Sequence, residues 1–238
     1  MTLYLFGGTF NPVHLGHLAL IHALRAARPG ADILVIPNRQ SPFKQGARSL
    51  PDDLRQAMLE AALHGIPGVR VSDVELCRPA PSYTVDTVQA LRQAHPGAQL
   101  RWVMGADAFA EFPRWRNAGG ILAQAGLTVF ARAGGLEAPP ASMAAWRAWT
   151  AQMPAPWCDA APGAPPPPDA GQGGVAPRWP LPRLLAPDQR LLVEWIPAAL
   201  PEVAASEILR SGNLDAVPAA ARPLLRAHLA REEQGADR

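Results

Sequence analysis

Cysteine is scarce in this chain: Cys77 and Cys158 are the only two in 238 residues. Far apart, they supply neither a disulfide framework nor a metal-binding spacing, so a reducing compartment is the expected setting. An excess of charge of one sign is missing too, because 22 Lys and Arg stand against 20 Asp and Glu. The resulting formal charge of +2 is too small to hold nucleic acid or a membrane surface by bulk electrostatics. No run of about 18 apolar residues is present, which leaves nothing to span a bilayer. A basic leader with a cleavable apolar stretch is also lacking, since glycines arrive by Gly7, and a soluble cytoplasmic protein is expected. Hydrophobic residues nevertheless make up 48% and charged residues 18%, a balance that folds rather than stays disordered. That length suits one large α/β domain, or a domain with an appendage.

What is present alternates. Short apolar runs at Leu3–Phe6, Ile33–Ile36, Val69–Val71, Leu100–Met104, Leu127–Phe130 and Leu191–Ile196 read as buried strands. Segments with helical spacing lie between and after them, at Leu15–Arg28, Asp52–His64, Thr84–Ala94, Val203–Arg210 and Val217–Glu232. Continuous apolar strands separated by helices predict a doubly wound, mostly parallel sheet covered on both faces. The composition then shifts. Of 27 prolines, 13 fall between Pro139 and Pro187, and proline removes backbone donors, so Pro162–Pro182 cannot supply sheet or sustained helix. The expected organisation is an α/β core over 1–138, a Pro-rich, partly flexible insertion over 139–187, and a last strand with C-terminal helices over 188–238 that complete the same domain.

In such a sheet, ligands bind outside the carboxyl ends of the strands, and the unusual polar residues gather there. After the first strand comes "GGTFNPVHLGH", with Gly7, Gly8, Thr9, Phe10, His14 and His17. Glycines there let backbone N–H groups approach an anion, and a following helix start favours negative charge. Asn38, Arg39 and Lys44 follow the second strand, and Ser82, Tyr83 and Thr84 the third. Gly105, Asp107 and Trp115 follow the fourth, and Arg132 the fifth. Imidazoles, cations and aromatic faces on one rim suit an anionic ligand with a planar ring, a nucleotide.

These residues carry a resemblance. His14-Leu15-Gly16-His17 resembles the HxGH motif of a nucleotidyltransferase superfamily with a Rossmann-like fold, and the longer "GGTFNPVHLGH" resembles the nicotinate-mononucleotide adenylyltransferases. Four further segments, "IPNRQSPFK", "RPAPSYTVDTV", "VMGADAFAEFPRW" and "VFARAG", resemble that family's in the same order. The resemblance covers Leu3 to Arg132 and resumes more weakly from Leu191.

It implies in-line attack by the phosphate of nicotinate mononucleotide on the α-phosphorus of ATP, releasing pyrophosphate. His14, His17 and Lys44 would neutralise charge on the transferring centre. ATP would be held by Gly7, Gly8, Thr9, Phe10, Gly105, Asp107, Arg132, Ser206 and Arg210. Nicotinate mononucleotide would be held by Asn38, Tyr83, Thr84 and Trp115, the indole stacking on the pyridine ring. In the late segment "VAASEILRSGN", Ser206 is the expected helix N-cap or phosphate-side hydroxyl, with Arg210 as phosphate clamp and Glu207 turned away. No His, Cys, Asp or Glu cluster has metal-ligand spacing, so Mg2+ would arrive with ATP, held by phosphate oxygens and water. Two alternatives stand beside this reading. One is another transferase of the superfamily, acting on pantetheine phosphate or glycerol phosphate. The other is a catalytically weakened nucleotide-binding regulator.

Overall fold

A computed structural model of the chain describes residues 1–42, 49–132, 158–159, 184–185, 193–198, 200–201 and 203–236. In chain order the elements are β1 (Thr2–Gly8), α1 (Leu15–Ala27), β2 (Asp32–Pro37), α2 (Asp52–Leu63), β3 (Val69–Val71) and α3 (Thr84–Ala94). There follow β4 (Gln99–Gly105), α4 (Ala106–Glu111), a 3-10 turn at Phe112–Arg114, α5 (Ala118–Leu122) and β5 (Ala125–Arg132). Two short strands, β6 (Cys158–Asp159) and β7 (Leu184–Leu185), pair antiparallel. The last elements are β8 (Val193–Ala198), α6 (Ala205–Ser211) and α7 (Arg222–Ala236).

Six of the strands form one parallel sheet in the order β3-β2-β1-β4-β5-β8, as the alternating pattern predicts. Because side chains alternate along a strand, each strand feeds two cores. Leu3 and Leu5 of β1 join Val88, Trp102, Phe112 and Ile121 on the face covered by α3, α4 and α5. Tyr4 and Phe6 join Ile21, Met58, Phe130 and Leu225 on the face covered by α1, α2 and α7. Both faces are therefore dry, which is why the strands read as unbroken apolar runs.

The structure moves several boundaries. The last strand is described over Val193–Ala198, two residues past the expected end and through Pro197, while Leu191 and Leu192 lie outside the described residues. A proline fits there because β8 is the edge strand of the sheet among the described residues. The final helix begins at Arg222 rather than Val217: Pro218 disfavours helical backbone at the residue before it, whereas Pro223 sits in the first turn, where its missing N–H is harmless. The preceding helix ends at Gly212, whose φ of +67° is the left-handed stop that glycine takes without penalty. Polar groups also enter the sheet. Glu194 of β8 accepts hydrogen bonds from Arg101 at 3.0 Å and Thr128 at 3.0 Å and is ion-paired with Arg28, so β8 is tied electrostatically to β4, β5 and the end of α1.

Candidate functional site

Strand order reverses between β1 and β4, since β2 and β3 lie to one side and β5 and β8 to the other. A crevice opens at the carboxyl ends there, and two cavities occupy it. They share Thr9 and Ser41 in their walls.

The larger cavity, about 1130 Å³, is lined by Thr9, Phe10, His14 and His17 from the first loop and by Ser206 and Arg210 from α6. His14 is the N-cap residue of α1, and its backbone N–H donates to Nδ1 of His17 at 3.2 Å. That bond leaves Nε2 of a neutral His17 ring as its N–H donor. The two imidazoles stack, with centroids 3.7 Å apart. Burial lowers His14 to a pKa of about 4, so it is a neutral hydrogen-bonding ring at physiological pH. Its Nδ1 is buried with no hydrogen-bond partner among the described residues. Gly16 is small because a Cβ there would stand 3.0 Å from that nitrogen. Phe10 supports the pair from below rather than offering a polar contact. It is buried, edge-on to His17 at 4.8 Å and to Phe6 at 5.4 Å. Its left-handed backbone, φ +47°, costs about 1–3 kcal/mol for a residue with a side chain.

The smaller cavity, about 530 Å³, is lined by Gly7, Gly8, Thr9, Asn38, Tyr83, Thr84, Gly105 and Trp115, among others. Gly7 has a packing reason besides any ligand: a Cβ would meet the Trp102 ring at 2.4 Å. Tyr83 caps the N-terminus of α3 and Thr84 is its first residue, so the helix start faces this cavity. Trp115 packs on Phe112 with centroids 5.4 Å apart. Asn38 donates to the Thr9 hydroxyl at 3.3 Å, and its Oδ1 is buried with no partner among the described residues.

Not every expected residue is gathered. Asp107 stands exposed in the first turn of α4, outside both linings. Lys44 lies outside the described residues, and only the backbone of Arg132, at the end of β5, is described. Ser206 is not the helix cap: the N-cap of α6 is Ala204, and Ser206 is the helix's second residue. Glu207 is not among the residues lining the larger cavity, and its carboxylate holds the Arg210 guanidinium at 2.6 and 3.0 Å. Three residues apart on the helix, the two opposite charges lie on one face and pair with each other.

Several residues in this region escape the sequence reading. Arg55 is fully buried and donates to the carbonyls of Thr9 at 2.6 Å, Asn38 at 2.7 Å and Leu50 at 3.3 Å, and to Asp52 at 2.6 Å. Its signal was an arginine on the buried face of α2, with Met58 and Leu59 at helical spacing. Glu75, on the wall of the smaller cavity, accepts from Thr87 at 2.5 Å, and Arg78 donates to the same hydroxyl. Burial raises the Glu75 pKa. The arginine and second threonine of "RPAPSYTVDT" thus brace the loop that presents Tyr83 and Thr84. Ser82 extends the brace: its Oγ accepts from the Arg39 N–H at 3.1 Å, and its N–H donates to the Gln40 carbonyl at 2.9 Å. His228, Leu229 and Glu232 of α7 complete the larger cavity.

Residues 5–180 match the model of the cytidylyltransferase-like family. A Trichlorobacter lovleyi protein named "Probable nicotinate-nucleotide adenylyltransferase" is 42% identical over 132 residues, 56% of this chain and 62% of its own. A Gloeobacter violaceus protein of the same name is 41% identical over 145 residues, 60% of this chain and 69% of its own. The match thus spans 62% and 69% of the length of these curated relatives. A solved Plasmodium falciparum nicotinic acid mononucleotide adenylyltransferase, complexed with NaAD, aligns over 56% of this chain and 66% of its own, at 14% identity and a TM-score of 0.48. With well over half of its length inside the family model, the chain belongs to the cytidylyltransferase-like family.

Proposed function

We propose that the protein is a cytoplasmic nicotinate-mononucleotide adenylyltransferase: it joins the adenylyl group of ATP to nicotinate mononucleotide, giving deamido-NAD and pyrophosphate in NAD biosynthesis. One observation carries this reading. A cavity walled by paired imidazoles and an aromatic cavity at a helix N-terminus meet at Thr9 and Ser41, so two ligands can be held with their phosphates together.

ATP takes the larger cavity, with its phosphates at His14, His17, Ser206 and Arg210. The mononucleotide takes the smaller one, its pyridine ring on Trp115 and its carboxylate toward Thr84 and the start of α3. The mononucleotide phosphate is itself the nucleophile, so no side chain attacks. The P–O bond to pyrophosphate breaks as the new phosphoanhydride bond forms, and the protein's work is alignment and charge stabilisation. His17 donates from Nε2 to the phosphoryl oxygens. His14, neutral when empty, donates one hydrogen bond without burying a second cation.

Magnesium would travel on the triphosphate, neutralising its oxygens. Asp52 and Glu232, carboxylates in the lining of the larger cavity, could meet the water shell of that ion.

Purified protein incubated with ATP, Mg2+ and nicotinate mononucleotide should release deamido-NAD and pyrophosphate in equal amounts. Turnover of pantetheine phosphate or glycerol phosphate in its place would refute the reading, as would nucleotide binding without turnover of any acceptor.

A further inference from the structure

We propose that Arg116 sets the choice of acceptor: its guanidinium is the charge partner of the acidic group on the pyridine ring, and it separates nicotinate from nicotinamide mononucleotide. This rests on the function proposed above and names the residue responsible for its substrate preference.

Arg116 directly follows Trp115, and both line the smaller cavity with Tyr83 and Thr84. Its Cζ lies 4.4 Å from the centroid of the Tyr83 ring. A guanidinium laid on an aromatic face has its plane fixed by that contact, while its N–H edge stays available for a carboxylate. Tyr83 also caps α3, so the cation is held beside the partial positive charge of that helix start.

The other charged groups on this wall are already engaged. Arg114 is ion-paired with Glu111 at 2.7 Å, and Glu75 accepts from Thr87 at 2.5 Å. Arg116 has no carboxylate partner among the described residues, so its N–H edge is open to an anionic group in the cavity. A nicotinate carboxylate answers that charge with two oxygens and can accept a charge-assisted pair of hydrogen bonds. The amide of nicotinamide offers one acceptor and no charge, and it turns an NH2 toward donors. Discrimination of this kind works through unmatched donors as much as through attraction.

The test measures kcat/KM for both mononucleotides, at saturating ATP, in the wild type, Arg116→Ala, Arg116→Lys and Arg114→Ala. Arg116 is exposed, so the variants should melt like the wild type. Arg116→Ala should lose on the order of 10-fold in kcat/KM for the acid, mostly through KM, with the amide and the KM for ATP nearly unchanged. Arg116→Lys should recover part of that loss, keeping the charge but not the fork. Arg114→Ala should leave the acid-to-amide ratio alone. An unchanged ratio in Arg116→Ala, or equal losses for both acceptors, would overturn the role while leaving the proposed function standing. A wild type that makes neither dinucleotide would refute the function and this role together.

Discussion

Arg55→Leu tests whether one buried side chain holds the site together. The wild-type guanidinium makes bonds of 2.6 Å to the Thr9 carbonyl, 2.7 Å to the Asn38 carbonyl and 3.3 Å to the Leu50 carbonyl, plus an ion pair of 2.6 Å with Asp52. Each bond to a charged group is worth roughly 1.5–3 kcal/mol in isolation. Adding them overstates the loss, because removing the arginine also removes the several kcal/mol spent on desolvating it. Asp52, 39% exposed, regains water. The carbonyls of Thr9, Asn38 and Leu50 lose their shared donor, and leucine fills part of the space without supplying another. Breaking a buried charged pair in this way costs about 3–5 kcal/mol. At roughly 2–4 °C per kcal/mol for a chain of this size, Tm should drop by about 6–20 °C. Urea titration should show a lower midpoint with an unchanged slope, since the surface exposed on unfolding is the same. Because Thr9 and Asn38 both border the smaller cavity, kcat/KM of the folded variant should fall as well. Arg55→Lys should fall between, keeping charge but losing the fork. Stability within about 1 kcal/mol of wild type together with normal kcat/KM in Arg55→Leu would refute the reasoning.

Three further outcomes are expected. His17→Ala should fold and lose on the order of 10²-fold in kcat, as removal of a transition-state donor does, and normal turnover would exclude the role. His14, held at about 4 when folded against an ordinary 6.5, binds its proton more readily in the unfolded chain. Its contribution to stability is therefore fully present above about pH 6.5 and is lost as pH falls through 4, by up to roughly 3 kcal/mol; denaturation midpoints across that window should slope less in His14→Gln. Arg210→Ala should raise the KM for ATP several-fold, while Glu207→Ala should leave it unchanged or lower it by releasing the guanidinium; the opposite pattern in a steady-state assay would remove Arg210 from the phosphate site.

The sheet was readable because burial on both faces leaves an unbroken apolar run such as Ile33–Ile36, with little room for another reading. The rim was readable because Gly7 stands at the end of a strand and His14, Tyr83 and Trp115 each follow one, where a parallel sheet puts its ligands. Short elements escaped. The helices at Ala106–Glu111 and Ala118–Leu122 complete fewer than two turns, too little for periodicity, and the second contains Gly119 and Gly120 and starts from a left-handed Asn117. Pairing that skips the chain was hidden as well. Nothing near Arg55 in sequence says that its partners include Thr9 and Asn38, and the mutual hold of Glu207 and Arg210 depends on side-chain choices that spacing alone leaves open.

The place of β8 in the sheet has a consequence for synthesis on the ribosome. Its residues pair with β5 across 66 positions of chain, Leu127 meeting Val193 and Arg132 meeting Ala198. Until those positions have been translated, the nascent sheet ends at β5, whose outer row of N–H and C=O groups is a template for any passing strand. The same delay leaves the Arg28 and Arg101 guanidiniums without Glu194, the carboxylate both of them pair with. Contacts this distant in sequence form slowly, because the loop must close before they repay it. Arrival of β8 thus covers that edge and brings Glu194 to Arg28 and Arg101 in one step. Only afterwards can α6 and α7 dock and finish the larger cavity.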